Sequence, residues 1–109
     1  MHDKLELHGR EWVRLCRAAD VVERRGRRVE VDIEFDLALF RVQGRVVCVS
    51  NVCPHQRIPV LYDGHINNGV VTCPMHGWEF DLCNRDGRRP GLRHYETLEH
   101  EGWVYAILQ

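Results

Sequence analysis

The sequence has no apolar stretch near the roughly 20 residues that span a bilayer, and no basic segment leading into an apolar run at its start. Neither a membrane helix nor an export signal is expected. It lacks an excess of either charge: 15 Lys and Arg against 16 Asp and Glu leave a formal charge of -1. That argues against a nucleic-acid binder and leaves partner choice to local patches. It also lacks a disulfide framework. Five Cys is an odd count, and Cys16, Cys48 and Cys83 have no paired spacing, which fits a reducing, cytoplasmic setting. Nothing matches a nucleophile-base pair, a phosphate loop or a nucleic-acid motif. At 109 residues the chain makes a single domain, 1–109, with a core but no room for a second catalytic domain or a large substrate pocket.

Helical periodicity is missing too. Short strands separated by turn residues take its place, which predicts an all-β domain. Residues 1–10 read as a loose lead-in and 11–16 as a first strand. Residues 23–28 form a charged loop centred on Gly26, with Arg24, Arg25, Arg27 and Arg28 solvated. Residues 29–35 alternate apolar and acidic, predicting a half-buried strand with Val29, Val31, Ile33 and Phe35 facing the core. Residues 37–42 and 45–50 form a hairpin on Gln43-Gly44, with Cys48 as a small buried hydrophobe. A second hairpin turns at Asn67-Asn68-Gly69, and Trp78, Phe80 and Leu82 mark another strand. Residues 84–91 are a turn-rich connection, and 94–99 and 103–108 form a last hairpin around Glu101-Gly102. Trp12 and Trp103 are expected in the core.

Against this background stand two short clusters, Cys53-Pro54-His55 and Cys73-Pro74-Met75-His76. Each supplies one sulfur and one imidazole nitrogen. A thiolate and a neutral imidazole both donate to soft or borderline iron or zinc, so Cys53, His55, Cys73 and His76 are the candidate metal ligands. The Asn68-Gly69 turn would return the second pair beside the first. Pro54 and Pro74 stiffen the loops by fixing φ. His2, His8, His65, His94 and His100 read as surface or structural residues, and Cys83 as a spare thiol.

The two clusters, with Pro59 after the first and Gly77-Trp78-Glu79-Phe80-Asp81 after the second, resemble the signature of Rieske [2Fe-2S] ferredoxins. The order of strands, turns and cluster loops from Trp12 to Leu108 is similar to the soluble members of that family. The resemblance implies a [2Fe-2S] cluster with two Cys on one iron and two His on the other. It implies a Rieske-type fold: an antiparallel, barrel-like base with a cluster-binding subdomain at about 51–83. It also implies a one-electron carrier without a catalytic site of its own, passing electrons from a reductase to a terminal oxygenase. Such a carrier is expected to be a cytoplasmic monomer that docks transiently around His55, Arg57, Pro59 and His76.

Replacing two thiolates by neutral imidazoles makes the oxidised cluster with its ligands neutral, so an electron is added more easily than to an all-Cys site. High-potential family members place a Ser and a Tyr hydroxyl where Trp78 and Phe80 stand, and a disulfide where Ile58 and Met75 stand. The resemblance is therefore to the low-potential branch. The ring N-H that each ligand His retains predicts a potential that falls at alkaline pH, read by redox titration across the alkaline range. Arg57 departs from the family pattern, which often has a small residue there, frequently Gly. Other readings of the same residues are a subunit similar to the small subunit of nitrite reductase, the Rieske domain of a ring-hydroxylating oxygenase, and a zinc-stabilised binding module. The oxygenase reading calls for a mononuclear-iron domain beyond Gln109, and the zinc reading for a colourless protein.

Overall fold

The run Leu37-Ala38-Leu39-Phe40 has no polar break, and successive side chains of a strand point to opposite faces, so this segment must be covered on both. In the computed structural model, which describes residues 3–53, 57–75, 77–83 and 92–108, all four are fully buried. The described residues contain β1 (Lys4–Leu7), β2 (Arg10–Arg17), β3 (Arg27–Glu30), β4 (Asp36–Val42), β5 (Arg45–Ser50), β6 (Val52–Cys53) and β7 (Ile58–Pro59). They continue with β8 (His65–Asn67), β9 (Val70–Thr72), β10 (Glu79–Asp81), β11 (His94–Tyr95), β12 (Thr97–His100) and β13 (Trp103–Ala106). The all-β expectation holds.

Four antiparallel sheets result, ordered β1-β2-β13-β12, β11-β5-β4-β3, β10-β9-β8 and β6-β7. Strand β4 belongs to two cores at once. Leu37 and Leu39 point to one face, where they pack with Leu15, Cys16, Val104 and Ala106 of the β2-β13 sheet and with Cys48. Ala38, Phe40 and Val42 point to the other, where they meet Leu61, Val71, Phe80 and Leu82 beside Cys53 and Cys73. Each fully buried Leu or Phe contributes about 1.5–3 kcal/mol from area removed from water. The β4-β5 hairpin is thus the shared wall between a two-sheet base and the smaller sheets that carry the cysteines.

Turn chemistry sets the registers. Gln43-Gly44, Asn68-Gly69 and Glu101-Gly102 each have positive φ at both positions, the two-residue geometry that matches strand twist. His8-Gly9 does the same, and here the expectation of a loose lead-in is corrected. Residues 4–7 form an edge strand, pairing Leu5 with Trp12. Its exposed, half-polar pattern hid it.

The expected strand over 29–35 is also corrected, because β3 stops at Glu30. The Asp32 carboxylate accepts from the N-H groups of Glu34 (2.8 Å) and Phe35 (3.0 Å), and Val31 N-H donates to Phe35 O at 2.9 Å. This side-chain capping turns the chain over and leaves Ile33 fully exposed, while Val29, Val31 and Phe35 stay against the core. The run 94–99 splits between sheets: Tyr95 pairs with Cys48 on β5, whereas Leu98 pairs with Tyr105 on β13. Trp12 is buried as expected, but Trp103 is only partly covered, with the guanidinium groups of Arg14 and Arg17 at 4.2 and 4.6 Å from its ring centroid, a cation-π arrangement. The expected connection over 84–91 lies outside the described residues.

Gly26 is more than the centre of a charged loop. A Cβ there would collide with the Tyr62 carbonyl oxygen and press on the Phe40 ring, so glycine lets the base approach the 61–62 segment. Arg28 likewise is not simply solvated: it makes two hydrogen bonds to Asp36, at 3.1 and 2.7 Å.

Candidate metal centre

Each cysteine of the candidate site stands where a short strand gives way to a loop. Cys53 ends β6, whose partner β7 sets Val52 opposite Pro59 and Cys53 opposite Ile58. Cys73 follows β9, whose pairing with β10 sets Thr72 opposite Glu79. The two loops close alike. Arg57 N-H donates to Cys53 O at 2.6 Å, and Gly77 N-H donates to Cys73 O at 3.0 Å, in each case from four residues on. Both donors have positive φ, 58° for Arg57 and 71° for Gly77. Glycine adopts that conformation freely, whereas an L side chain is strained there by on the order of 1–2 kcal/mol. The geometry explains why a small residue suits position 57 and marks Arg57 as an exposed side chain on a strained backbone. Trp78 O accepts from Cys73 N-H at 2.7 Å and tightens the second loop further.

Cys53 and Cys73 are each 1% exposed and share one packed cluster with Leu61, Val71, Phe80, Leu82 and Leu92. All five Cys are among the described residues and none is in a disulfide. His55 and His76, with Pro54, lie outside the described residues, and among the described residues no three metal-ligating side chains converge. The donor set fits a [2Fe-2S] cluster. Two buried thiols are held together by an apolar surround, and each is followed by a loop to a His, two and three residues on. Phe80 is buried and its ring centroid lies 6.4 Å from that of Trp78, and neither side chain carries a hydroxyl. Met75, at a position where high-potential relatives are implied to have a disulfide cysteine, is 55% exposed.

Three residues that sequence reasoning missed support the first loop. Asn51 is fully buried and bonded to Asp36, Leu61 and Tyr62, and Arg28 completes the arrangement through Asp36. Burial pushes the Asp36 carboxyl up, but the hydrogen bonds from Arg28 and Asn51 and the guanidinium charge outweigh it and hold the group below the usual carboxylate range. Asn51, set with Ser50 between the apolar residues 46–49 and Val52-Cys53, was the available signal. Burial pushes the Cys16 and Cys48 thiols up, which keeps them protonated and inert, and Cys83 is exposed.

Among the described residues, the remaining histidines do not join the site. His8 and His65 are exposed, His100 lies against Tyr105 with ring centroids 6.3 Å apart, and His2 is outside the described residues. His94 has its ring nitrogens 3.1 Å from Leu92 O and 3.3 Å from Leu82 O, linking β11 to the end of β10. A polar groove of about 450 Å³ lies between the Gln43-Gly44 and Asn68-Gly69 turns, lined by Glu23, Arg24, Arg41 and His65 among others. Its central groups serve the fold. Arg41 donates to the carbonyls of Val21, Gly44 and Ala18, and Glu23 accepts from Gly44 N-H.

The family model described as Rieske [2Fe-2S] domain matches residues 11–99. The chain belongs to the Rieske [2Fe-2S] domain family. A Rieske domain binds a [2Fe-2S] cluster, which agrees with the donor set above. The methanesulfonate monooxygenase ferredoxin subunit of Methylosulfonomonas methylovora is 31% identical over 102 residues, covering 89% of this chain and 80% of that protein. Among solved structures, a ferredoxin of Sphingomonas yanoikuyae B1 aligns with TM-score 0.79 and 26% identity over 98% of this chain and 100% of its own. A complex of reduced oxygenase and oxidised ferredoxin of carbazole 1,9a-dioxygenase gives TM-score 0.75 and 28% identity, covering 87% of this chain and 91% of that one. This Rieske domain also matches longer proteins, oxygenases and a nitrite reductase by name, but spans only 8% to 26% of their length. Among the described residues, no helix is long and apolar enough to cross a membrane.

Proposed function

We propose that this Rieske domain is a one-electron carrier, a ferredoxin that receives electrons from a reductase and delivers them to a terminal oxygenase, with Cys53, His55, Cys73 and His76 holding its cluster. The observation that carries this reading is the alignment over the full length of a ferredoxin, with both cysteines buried in one cluster. The bound [2Fe-2S] cluster supplies a centre that accepts and returns one electron. Cys53 and Cys73 supply the two thiolates, and His55 and His76 the two imidazoles. The apolar wall of Leu61, Val71, Phe80 and Leu82 excludes water from the sulfur side. Trp78 and Phe80 bring no hydroxyl to the sulfurs, in keeping with a potential in the lower part of the Rieske range of about -150 to +300 mV. Residues 51–83 form the cluster-binding subdomain of a single domain, 1–109.

Docking falls on the surface around His55, Arg57, Pro59 and His76, and a small contact there suits a brief encounter. The chain works as a monomer in the cytoplasm, a setting in keeping with five cysteines and no disulfide. Membership of a larger oxidoreductase is the weaker reading, since the similarity to ferredoxins extends over 80% and 100% of their own length. The test is anaerobic mixing of the reduced protein with purified terminal oxygenases of aromatic-ring and sulfonate systems. Reoxidation faster than with an unrelated acceptor is expected for at least one, and uniform failure despite reversible reduction would remove the carrier assignment.

A further inference from the structure

Asn51 has no exposed surface, and each of its four polar atoms has a partner. Its N-H donates to Asp36 O at 2.8 Å and its carbonyl accepts from Leu61 N-H at 3.2 Å. Its side-chain Nδ2 donates to Asp36 Oδ1 at 2.9 Å, and Oδ1 accepts from Tyr62 N-H at 2.7 Å. The amide orientation is fixed by the partners, because a carboxylate only accepts and a backbone N-H only donates. The residue therefore grips both ends of the first loop: 52–53 continue directly from it, and 61–62 hang from its two oxygens. Its nitrogens tie those ends to β4 through Asp36, which Arg28 holds from β3. The 61–62 segment also lies against Gly26, so no side chain wedges the joint open.

We propose that Asn51, braced by Asp36 and Arg28, is the positioning residue that fixes the Cys53 arm on the base so that its thiol stays in register with Cys73. The inference rests on the reading of both cysteines as cluster ligands. Cys73 is set by the β9-β10 pairing, which is independent of Asn51. Losing the clamp thus frees one arm of the site and not the other. The result is a cluster held unevenly, which is lost faster and sits in a changed asymmetric environment.

The test compares holoprotein of the unaltered chain with Asn51→Asp, Asp36→Asn and the double exchange Asn51→Asp/Asp36→Asn. Asn51→Asp sets two carboxylates face to face. The double exchange restores one donor and one acceptor between positions 51 and 36 but gives up the carboxylate that Arg28 donates to, since Arg28 Nε and Asn51 Nδ2 share Asp36 Oδ1. Cluster loss is followed by bleaching in the presence of an iron chelator, with the visible circular dichroism band as a readout of cluster environment. Asn51→Asp is expected to lose its cluster at least about tenfold faster, the factor given by one buried hydrogen bond left unmade, and to show an altered visible band. The double exchange is expected to recover only part of both, because Arg28 loses its carboxylate partner. Unchanged release in Asn51→Asp, or faster release with an unaltered visible band, overturns the proposal. If Asn51→Asp does not fold, Asn51→Ser, which removes the side-chain bonds and leaves the backbone ones, takes its place under the same criterion. An unaltered chain that binds no cluster would instead count against the ligand assignment itself.

Discussion

Two pairs of buried cysteines sit on opposite faces of β4, and they differ in what surrounds them. Cys16 and Cys48 lie within strands β2 and β5, in the core between the base sheets. Cys53 and Cys73 lie where strands end, in the core on the other face, each followed by a Pro and a loop that leads to a His. Burial is nearly the same, from 1% to 7% exposed. Degree of burial does not mark a ligand, since a Cys inside a strand is only a small hydrophobe. Position at the mouth of a loop, with the backbone closed by an N-H from four residues on, separates the second pair from the first.

Truncating each pair in turn gives the sharpest contrast. Cys53→Ala or Cys73→Ala is expected to abolish cluster binding, read as loss of iron and visible absorbance. Cys16→Ala or Cys48→Ala should keep the full cluster and cost on the order of 1 kcal/mol of stability, a buried group of about one methylene's worth. Equal cluster loss from both pairs would erase the distinction.

Next in size are the two faces of β4. Phe40→Ala, on the cysteine-bearing side, is expected to destabilise by about 3–5 kcal/mol and Leu39→Ala, on the base side, by about 2–5 kcal/mol. Denaturant titration measures both losses. Only Phe40→Ala should also speed cluster release relative to global unfolding.

A smaller effect comes from acid. Asp36 has a folded pKa below its unfolded value near 3.8, so its contribution is fully present above that value and is lost as pH falls through the lower folded pKa. The unaltered protein should therefore lose stability more steeply than Asp36→Asn below about pH 4. Parallel acid-unfolding curves would show that the Arg28 and Asn51 bonds to Asp36 carry no linkage. Least affected should be Ile33→Thr, within about 0.5 kcal/mol by thermal melting, because the Asp32 turn already leaves that side chain in water.

The all-β class, the hairpin over 37–50 and the turn at Asn68-Gly69 were legible because alternation and turn glycines act locally. The failures were places where a side chain overrode the pattern. Alternation through 29–35 is correct as far as Glu30, after which the Asp32 carboxylate captures two backbone N-H groups, a competition that periodicity does not register. Residues 4–7 alternate Lys-Leu-Glu-Leu, but four residues are too short a run to set a strand apart from the unpatterned residues around them. In the site, residue types and spacing pointed to the two cysteines and two histidines, of which the cysteines fall among the described residues. Asn51, Asp36 and Arg28 escaped because their partners are 8 to 15 residues away along the chain and meet only through pairing of β3, β4 and β5. Arg57 was visible as a departure from the family, but its positive φ was not.

The central claim is that two buried thiols and two imidazoles hold a pair of irons in this chain. Anaerobic purification followed by assay of iron and acid-labile sulfide, with electron paramagnetic resonance after reduction, tests it most directly. Equal iron and sulfide, a red-brown colour that fades on reduction and one unpaired spin per chain are expected. A colourless protein that binds zinc and contains no labile sulfide would contradict it.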